Sequence, residues 1–219
     1  MDQKIVILLL ARGGSKTIPR KNVEKLNGHP LIFYALRESK KSIVNNNNIW
    51  VSTDDEEIKR LSLSYGVNVL GRPSELATDE SPSENSLLHF ADNVDFDILI
   101  FIQPTSPLIT FKDINRGIDK ILNEDYDSLF SVALANDILM WDINRMIPVN
   151  YNLVDRKRKQ TREYFGIETG AFYITKKEAL LKSKCRLSGK IGYVQIPYWR
   201  SFQIDDYDDL EGIEKLMRE

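Results

Sequence analysis

Aliphatic runs without polar interruption alternate along the chain with longer segments whose apolar residues recur every three or four positions. Ile5 to Leu10 is the first such run and Ile98 to Ile102 is another. A strand that is apolar at every position is one covered on both faces, because successive side chains point to opposite sides of a sheet. Asn48 to Thr53, Val67 to Leu70 and Ser128 to Leu134 read as further strands. Between them the spacing predicts helices over Pro30 to about Val44, Asp54 to Tyr65, Ser83 to Asn93 and Phe111 to Asn123, the last with Ile114, Ile118, Ile121 and Leu122 along one face. This alternation predicts an α/β fold, a Rossmann-like three-layer sandwich whose mostly parallel sheet carries helices on both sides and binds ligands beyond the carboxyl ends of its strands.

From residue 135 to 168 the alternation fails. The run DRKRKQTRE, Asp155 to Glu163, has neither helix caps nor a buried face, so 135–168 reads as an insertion into one domain spanning 1–219. The rhythm resumes with a strand at Ala171 to Thr175, a helix at Lys176 to Lys182, a strand at Ile191 to Ile196 and a last helix from about Tyr207 to Arg218. Trp50, Trp141 and Trp199 read as packing residues.

Composition narrows the chemistry. With 219 residues, 42% hydrophobic and 28% charged, the chain can bury a full core, and its formal charge of -2 offers no general attraction to nucleic acid or membrane. Any anion site must be local. The longest apolar run, Ile5 to Ala11, is too short to cross a bilayer, and the residues before it form no signal pattern. The single cysteine, Cys185, can form no internal disulfide, which suits a cytoplasmic protein. His29 and His89 stand alone, without a metal-spaced second ligand.

Against that even balance, Arg12, Lys16, Arg20 and Lys21 crowd around Gly13 and Gly14 directly after the first strand. Glycine lets backbone N–H groups approach phosphate oxygens, and the cations offset phosphate charge. Neither GxxxxGK[ST] nor GxGxxG is present, and Pro19 prevents a helix from following Gly14 at once. A long basic loop around a triphosphate fits better than a helix end holding a pyrophosphate.

The motif ARGGSKTIPRKN, residues 11–22, resembles the signature of the acylneuraminate cytidylyltransferases, the CMP-sialic acid synthetase family, with Thr17 where glycine is common. VSTDDEEI (51–58), RPSELATDESPS (72–83), FIQPTSPL (101–108), TGAFYI (169–174) and QIDDYDDL (203–210) extend the resemblance in order and spacing over most of the chain. It implies transfer of CMP from CTP to the anomeric hydroxyl of a nine-carbon 2-keto sugar acid, with release of pyrophosphate. It implies that Arg12, Gly13, Ser15, Lys16, Lys21 and Asn22 hold the CTP phosphates, with Lys21, Arg12 and Asp205 as the catalytic set. Arg72, Asp79 and Ser83 would serve the cytidine end, and Gln103, Thr105 and Ser106 the sugar. Asp205 with Gln203 would bind Mg²⁺, while Asp206 and Asp208 would cap and charge the last helix.

Two departures bear on the substrate. Gln203 stands where the family usually has an acidic residue; its amide oxygen can ligate a cation but adds no charge. Ile167 stands where sialic acid enzymes carry a second sugar-binding arginine, and that missing charge points away from a standard sialic acid pocket, while the segment around Gln203 resembles the SFEIDD of the CMP-legionaminic acid synthetase branch. The resemblance makes the insertion a dimerisation arm, places Lys159 and Gln160 near the sugar carboxylate, and implies a homodimer. Alternatives are CMP-Kdo synthetase or another sugar nucleotidyltransferase, a glycosyltransferase with Thr53 to Asp55 as a DxD-like metal site, and a non-catalytic nucleotide-binding homologue.

Overall fold

Six consecutive aliphatic residues put β1 (Ile5–Leu10) in the interior of the sheet, with neighbours on both edges and helices on both faces. The computed structural model describes residues 3–217. After β1 come the two-residue strands β2 (Lys25–Leu26) and β3 (His29–Pro30), then α1 (Leu31–Lys41), β4 (Ile49–Thr53), α2 (Glu56–Ser64), β5 (Asn68–Gly71), α3 (Ser83–Asn93), β6 (Ile98–Ile102), α4 (Phe111–Asn123) and β7 (Ser128–Ala135). A short ladder of β8 (Trp141–Asp142) and β9 (Ile147–Pro148) precedes β10 (Phe165–Lys176), α5 (Lys177–Ser183), β11 (Ile191–Gln195) and α6 (Tyr207–Leu216).

The seven-stranded sheet has the order β11-β7-β10-β6-β1-β4-β5. All its pairings are parallel except those of β10, which runs antiparallel to both β6 and β7. The chain moves outward from β1 through β4 to β5 and then returns to β6 on the other side of β1. That reversal opens a crevice at the carboxyl ends of β1 and β6, where an α/β sheet takes its ligand.

Alternate residues of β1 enter different cores. Ile7 and Leu9 pack with Ile32 of α1, Ile58 of α2 and Ile114 and Ile118 of α4, while Val6 and Leu8 pack with Leu87 and Phe90 of α3 and Leu180 of α5. A third cluster joins Ile18, Leu26, Leu31, Tyr34, Leu108, Ile204 and Ile213, fastening the loop after β1 to the chain before and within α6. The fully buried Ile18 thus pins the middle of the basic loop.

The predicted helices at 83–93 and 111–123 and the strand at 98–102 form over those spans. The insertion is shorter than 135–168: Ala135 ends β7, and Phe165–Glu168 already pair antiparallel with Ala135–Val132, leaving 136–164 as the irregular part. The ladder then shifts register before Tyr173, around Gly170, whose φ of +68° favours glycine. Arg218, the predicted end of the last helix, lies outside the described residues. Trp50 packs edge-on against Phe90 at 5.9 Å, but Trp141 and Trp199 are 39% and 53% exposed and are not core residues. Among the described residues no helix is long and apolar enough to cross a membrane.

Candidate active site

The loop after β1 is built against the end of β4. Ala11 continues the parallel pairing by donating its N–H to the carbonyl of Ser52 (3.0 Å), and the Gly13 N–H donates to Asp54 Oδ1 at 3.0 Å. A side chain at Gly13 would meet Asp55, its Cβ falling 2.7 Å from Oδ2. Gly13 is therefore present for close packing on the Asp54–Asp55 turn, and its N–H is engaged there instead of facing a phosphate. The same turn engages both carboxylates of the DxD-like alternative: Asp54 accepts from Gly13, while Asp55 caps α2 through the N–H groups of Glu57 and Ile58 and pairs with Arg20 at 3.0 Å. Arg20 also holds Glu57 at 2.7 Å, a surface pairing.

Arg12, Ser15, Lys16, Lys21 and Asn22 line a cleft of about 430 Å³ at the carboxyl ends of β1 and β6. Asn22 donates to the Arg12 carbonyl at 2.9 Å and closes the loop on itself. The cations already hold carboxylates. Asp79 bridges Arg12 (2.5 Å) and Lys16 (3.0 Å), and these two partners, Lys16 first, keep its carboxyl below the usual range. Lys21, whose side chain is 13% exposed, donates to the carbonyls of Ile204 (3.0 Å) and Asp205 (3.3 Å) and to Asp205 Oδ1 (3.1 Å). An ammonium has three donors, and here each has an acceptor on the acidic segment before α6.

At the other end of the cleft Arg72 is buried, and its guanidinium donates to Ser86 Oγ at 3.3 Å. Its Nε and second terminal nitrogen have no hydrogen-bond partner, and the nearest carboxylate, Asp54, is 3.9 Å away. Burial pushes this guanidinium below its ordinary range, Asp54 opposing and Arg12 adding to the effect. A buried donor without an acceptor is costly, so a cleft built around one suits a ligand that brings an acceptor, such as a base carbonyl. Ser83 and Ser86, three residues apart on the same face of α3, line the wall here with Leu10 and Phe101.

Gln103 and Thr105 line the cleft as expected of a strand end. Ser106 does not: it is 1% exposed, with its hydroxyl buried behind the turn, which corrects its placement at the ligand edge. Lys159 and Gln160 lie on a short 3-10 turn within the insertion, Lys159 paired with Asp137 at 2.6 Å, and neither lines the cleft of its own chain.

The segment before α6 is fastened at several points. Ile204 donates its N–H to the Thr105 carbonyl at 2.9 Å, and Thr17 donates its hydroxyl to the Asp205 carbonyl at 2.5 Å. Gln203 donates its amide to the Thr169 carbonyl, beside Gly170, where a Cβ would strike the carboxamide. This gives the amide at 203 a physical reason: a carboxylate has no proton for that carbonyl. Asp205 is 73% exposed at the rim, and Asp206 caps α6, its side chain accepting from Asp209 at 2.9 Å. Upstream, Arg200 is ion-paired to the buried Asp113 of α4.

Sequence reasoning missed Ser86 and the Asp113–Arg200 pair, and it gave no sign that Thr17 would donate to the Asp205 carbonyl or that Asp54 would accept from Gly13. The spacing of Ser83 and Ser86 on one helix was a usable signal; the others join positions remote in the chain.

Residues 6–216 match the family model described as Cytidylyltransferase. The chain is 35% identical over 224 residues to N-acylneuraminate cytidylyltransferase A of Danio rerio, covering 99% of this chain and 52% of that protein. It is 32% identical over 218 residues to N-acylneuraminate cytidylyltransferase B of the same organism, covering 96% and 51%. The chain thus spans about half the length of the curated relatives it matches. In three dimensions it is similar to CMP:2-keto-3-deoxy-manno-octonic acid synthetase complexed with CTP, with a TM-score of 0.72, 16% identity and 98% of each chain covered. At that identity the likeness is one of fold.

Proposed function

Because the chain belongs to the cytidylyltransferase family, we propose that it transfers CMP from CTP to the anomeric hydroxyl of a nine-carbon 2-keto sugar acid and releases pyrophosphate. The observation that carries the reading is a convergence: the basic loop and the acidic segment, 184 residues apart, meet where Lys21 Nζ lies 3.1 Å from Asp205 Oδ1. The triphosphate lies along Arg12, Ser15, Lys16 and Lys21, the cytidine end reaches the unpartnered edge of Arg72, and the sugar acid takes the side of Gln103 and Thr105. In such a transfer the protein mainly orients the reactants and offsets charge on the phosphates, so fixed cations matter more than a special base.

The donor set fits Mg²⁺ held chiefly by phosphate oxygens: Asp205 supplies one accessible carboxylate, and one carboxylate with substrate phosphates is an ordinary magnesium site. Gln203 is the weaker candidate, since its amide nitrogen is engaged with Thr169 and only its oxygen remains. When bound, the ion would supply Lewis-acid stabilisation of the phosphate oxygens.

Within the substrate class, the apolar Ile167 on β10 disfavours a standard sialic acid pocket, and the likeness of the segment around Gln203 to the legionaminic branch makes a legionaminic-type acid the proposed substrate. A homodimer is part of the proposal. The insertion exposes the apolar side chains of Ile143 (73%), Met146 (66%), Val149 (60%) and Val154 (97%). A second copy covering it is the means by which Lys159 and Gln160 would reach a neighbouring cleft.

The test is pyrophosphate release from CTP and Mg²⁺ with each candidate acid, followed by the mass of the product. Lys21→Ala and Asp205→Asn should each lower turnover by about a hundredfold or more, with an unchanged circular dichroism spectrum. Wild-type rates in both folded variants would show the assigned roles to be wrong; no release by the wild type with any acid would sink the activity itself.

A further inference from the structure

The cleft proposed for a triphosphate contains a carboxylate in the wrong place for a ligand-binding group. Asp79 sits on the two outer cations, Arg12 at 2.5 Å and Lys16 at 3.0 Å, and Arg12 also donates to the Ala77 carbonyl at 3.3 Å. The segment carrying it, from Leu76 to Ser81, forms part of the cleft wall. A carboxylate repels phosphate and competes with it for the same cations.

We infer that Asp79 is a built-in competitor for the phosphate positions, which polyphosphates must displace and which returns to Arg12 and Lys16 when pyrophosphate leaves. The inference rests on the cytidylyl-transfer reading and deepens it. Because Asp79 is tethered to the same wall, it competes at a fixed effective concentration whatever the solution holds. Every ligand that must move it loses the same free energy, so CTP and pyrophosphate are weakened alike, whereas a ligand confined to the Arg72 end loses nothing. The benefit falls on product release: a site lined by Arg12, Lys16 and Lys21 would otherwise retain pyrophosphate, and an anion that re-pairs with two of those cations speeds its departure.

This role has the opposite sign from nucleotide binding by Asp79, which makes it testable without the sugar acid. Calorimetric titration with inorganic pyrophosphate and, separately, with cytidine would be run on the wild type, Asp79→Asn and Asp79→Glu. Removing one partly exposed carboxylate shared by two cations should tighten pyrophosphate by about three- to tenfold. Asp79→Glu, which restores the charge, should bind pyrophosphate within about twofold of the wild type, and cytidine should bind all three proteins equally. In turnover, Asp79→Asn should show stronger product inhibition by pyrophosphate. Unchanged or weaker pyrophosphate binding in a folded Asp79→Asn protein would overturn the inference. The titration stands whether or not a sugar acid is ever found, so its failure is distinct from failure of the activity.

Discussion

Removing Arg200 tests whether the acidic segment is held by a buried ion pair or merely decorated with one. Asp113 is 1% exposed and accepts from Thr110 N (3.1 Å), Thr110 Oγ1 (2.7 Å), Arg116 (2.6 Å) and Arg200, whose own side chain is 13% exposed. Burial alone would raise the Asp113 pKa; the bonds from Arg200 and Thr110 together outweigh it and hold the carboxyl below its usual range. Breaking one side of a buried pair generally costs about 3–5 kcal/mol because the remaining charge is left uncompensated. Arg116 and Thr110 still serve Asp113 after Arg200→Ala, so the lower end applies, about 3 kcal/mol. For a chain of this size that is a fall in Tm of roughly 6–12 °C.

The assay is urea unfolding followed by circular dichroism on Arg200→Ala, Asp113→Ala and the double variant, a cycle that isolates the coupling. The reasoning expects a coupling of about 2 kcal/mol or more, since the double variant leaves no orphaned charge. The contribution is also pH-dependent. Because the folded pKa of Asp113 is depressed, its stabilisation is complete above the unfolded value and disappears as pH falls through the folded one. An additive cycle at pH 7, or a loss below about 1 kcal/mol for Arg200→Ala, would refute the argument.

Two further outcomes are expected. Gly170→Ala should lose about 1–2 kcal/mol from the left-handed backbone alone, and more from contact with Gln203; adding Gln203→Ala should recover only the second part, read from urea midpoints. Glu84 is held below its usual range first by its bonds to Arg186, at 2.6 and 2.9 Å, so its stabilisation is present above the unfolded pKa of 4.5 and lost as pH falls through the lower folded value. The stability difference between wild type and Glu84→Gln should therefore be full at neutral pH and vanish on acidification, and a difference that persisted unchanged below the folded pKa would contradict the pairing.

The layers of this fold were legible because both-face burial leaves runs such as Ile5 to Leu10 and Ile98 to Ile102 that few other structures produce. The direction of β10 was not, since a hydrophobic pattern reads the same from either end. Its first residues, Phe165 to Glu168, are mostly exposed and resemble the irregular segment they leave. In the site, the loop residues could be named from the sequence, but not what they hold. Gly13 and Ser106 belong to the right motifs, yet one packs on Asp55 and the other is buried, outcomes decided by the neighbouring β4 turn and by packing. Gln203 reads as a weakened metal ligand until the Thr169 carbonyl is seen opposite its amide.

The junction at Lys21 has a consequence for synthesis. Its acceptors at Ile204 and Asp205 lie 183 and 184 residues further along. A nascent chain that has displayed the whole basic loop still lacks them, and at ordinary translation rates waits roughly 10–40 s for them to follow. Until they clear the ribosome tunnel, the junction between the basic loop and the segment before α6 cannot close, so this contact forms only after every strand of the central sheet has been made.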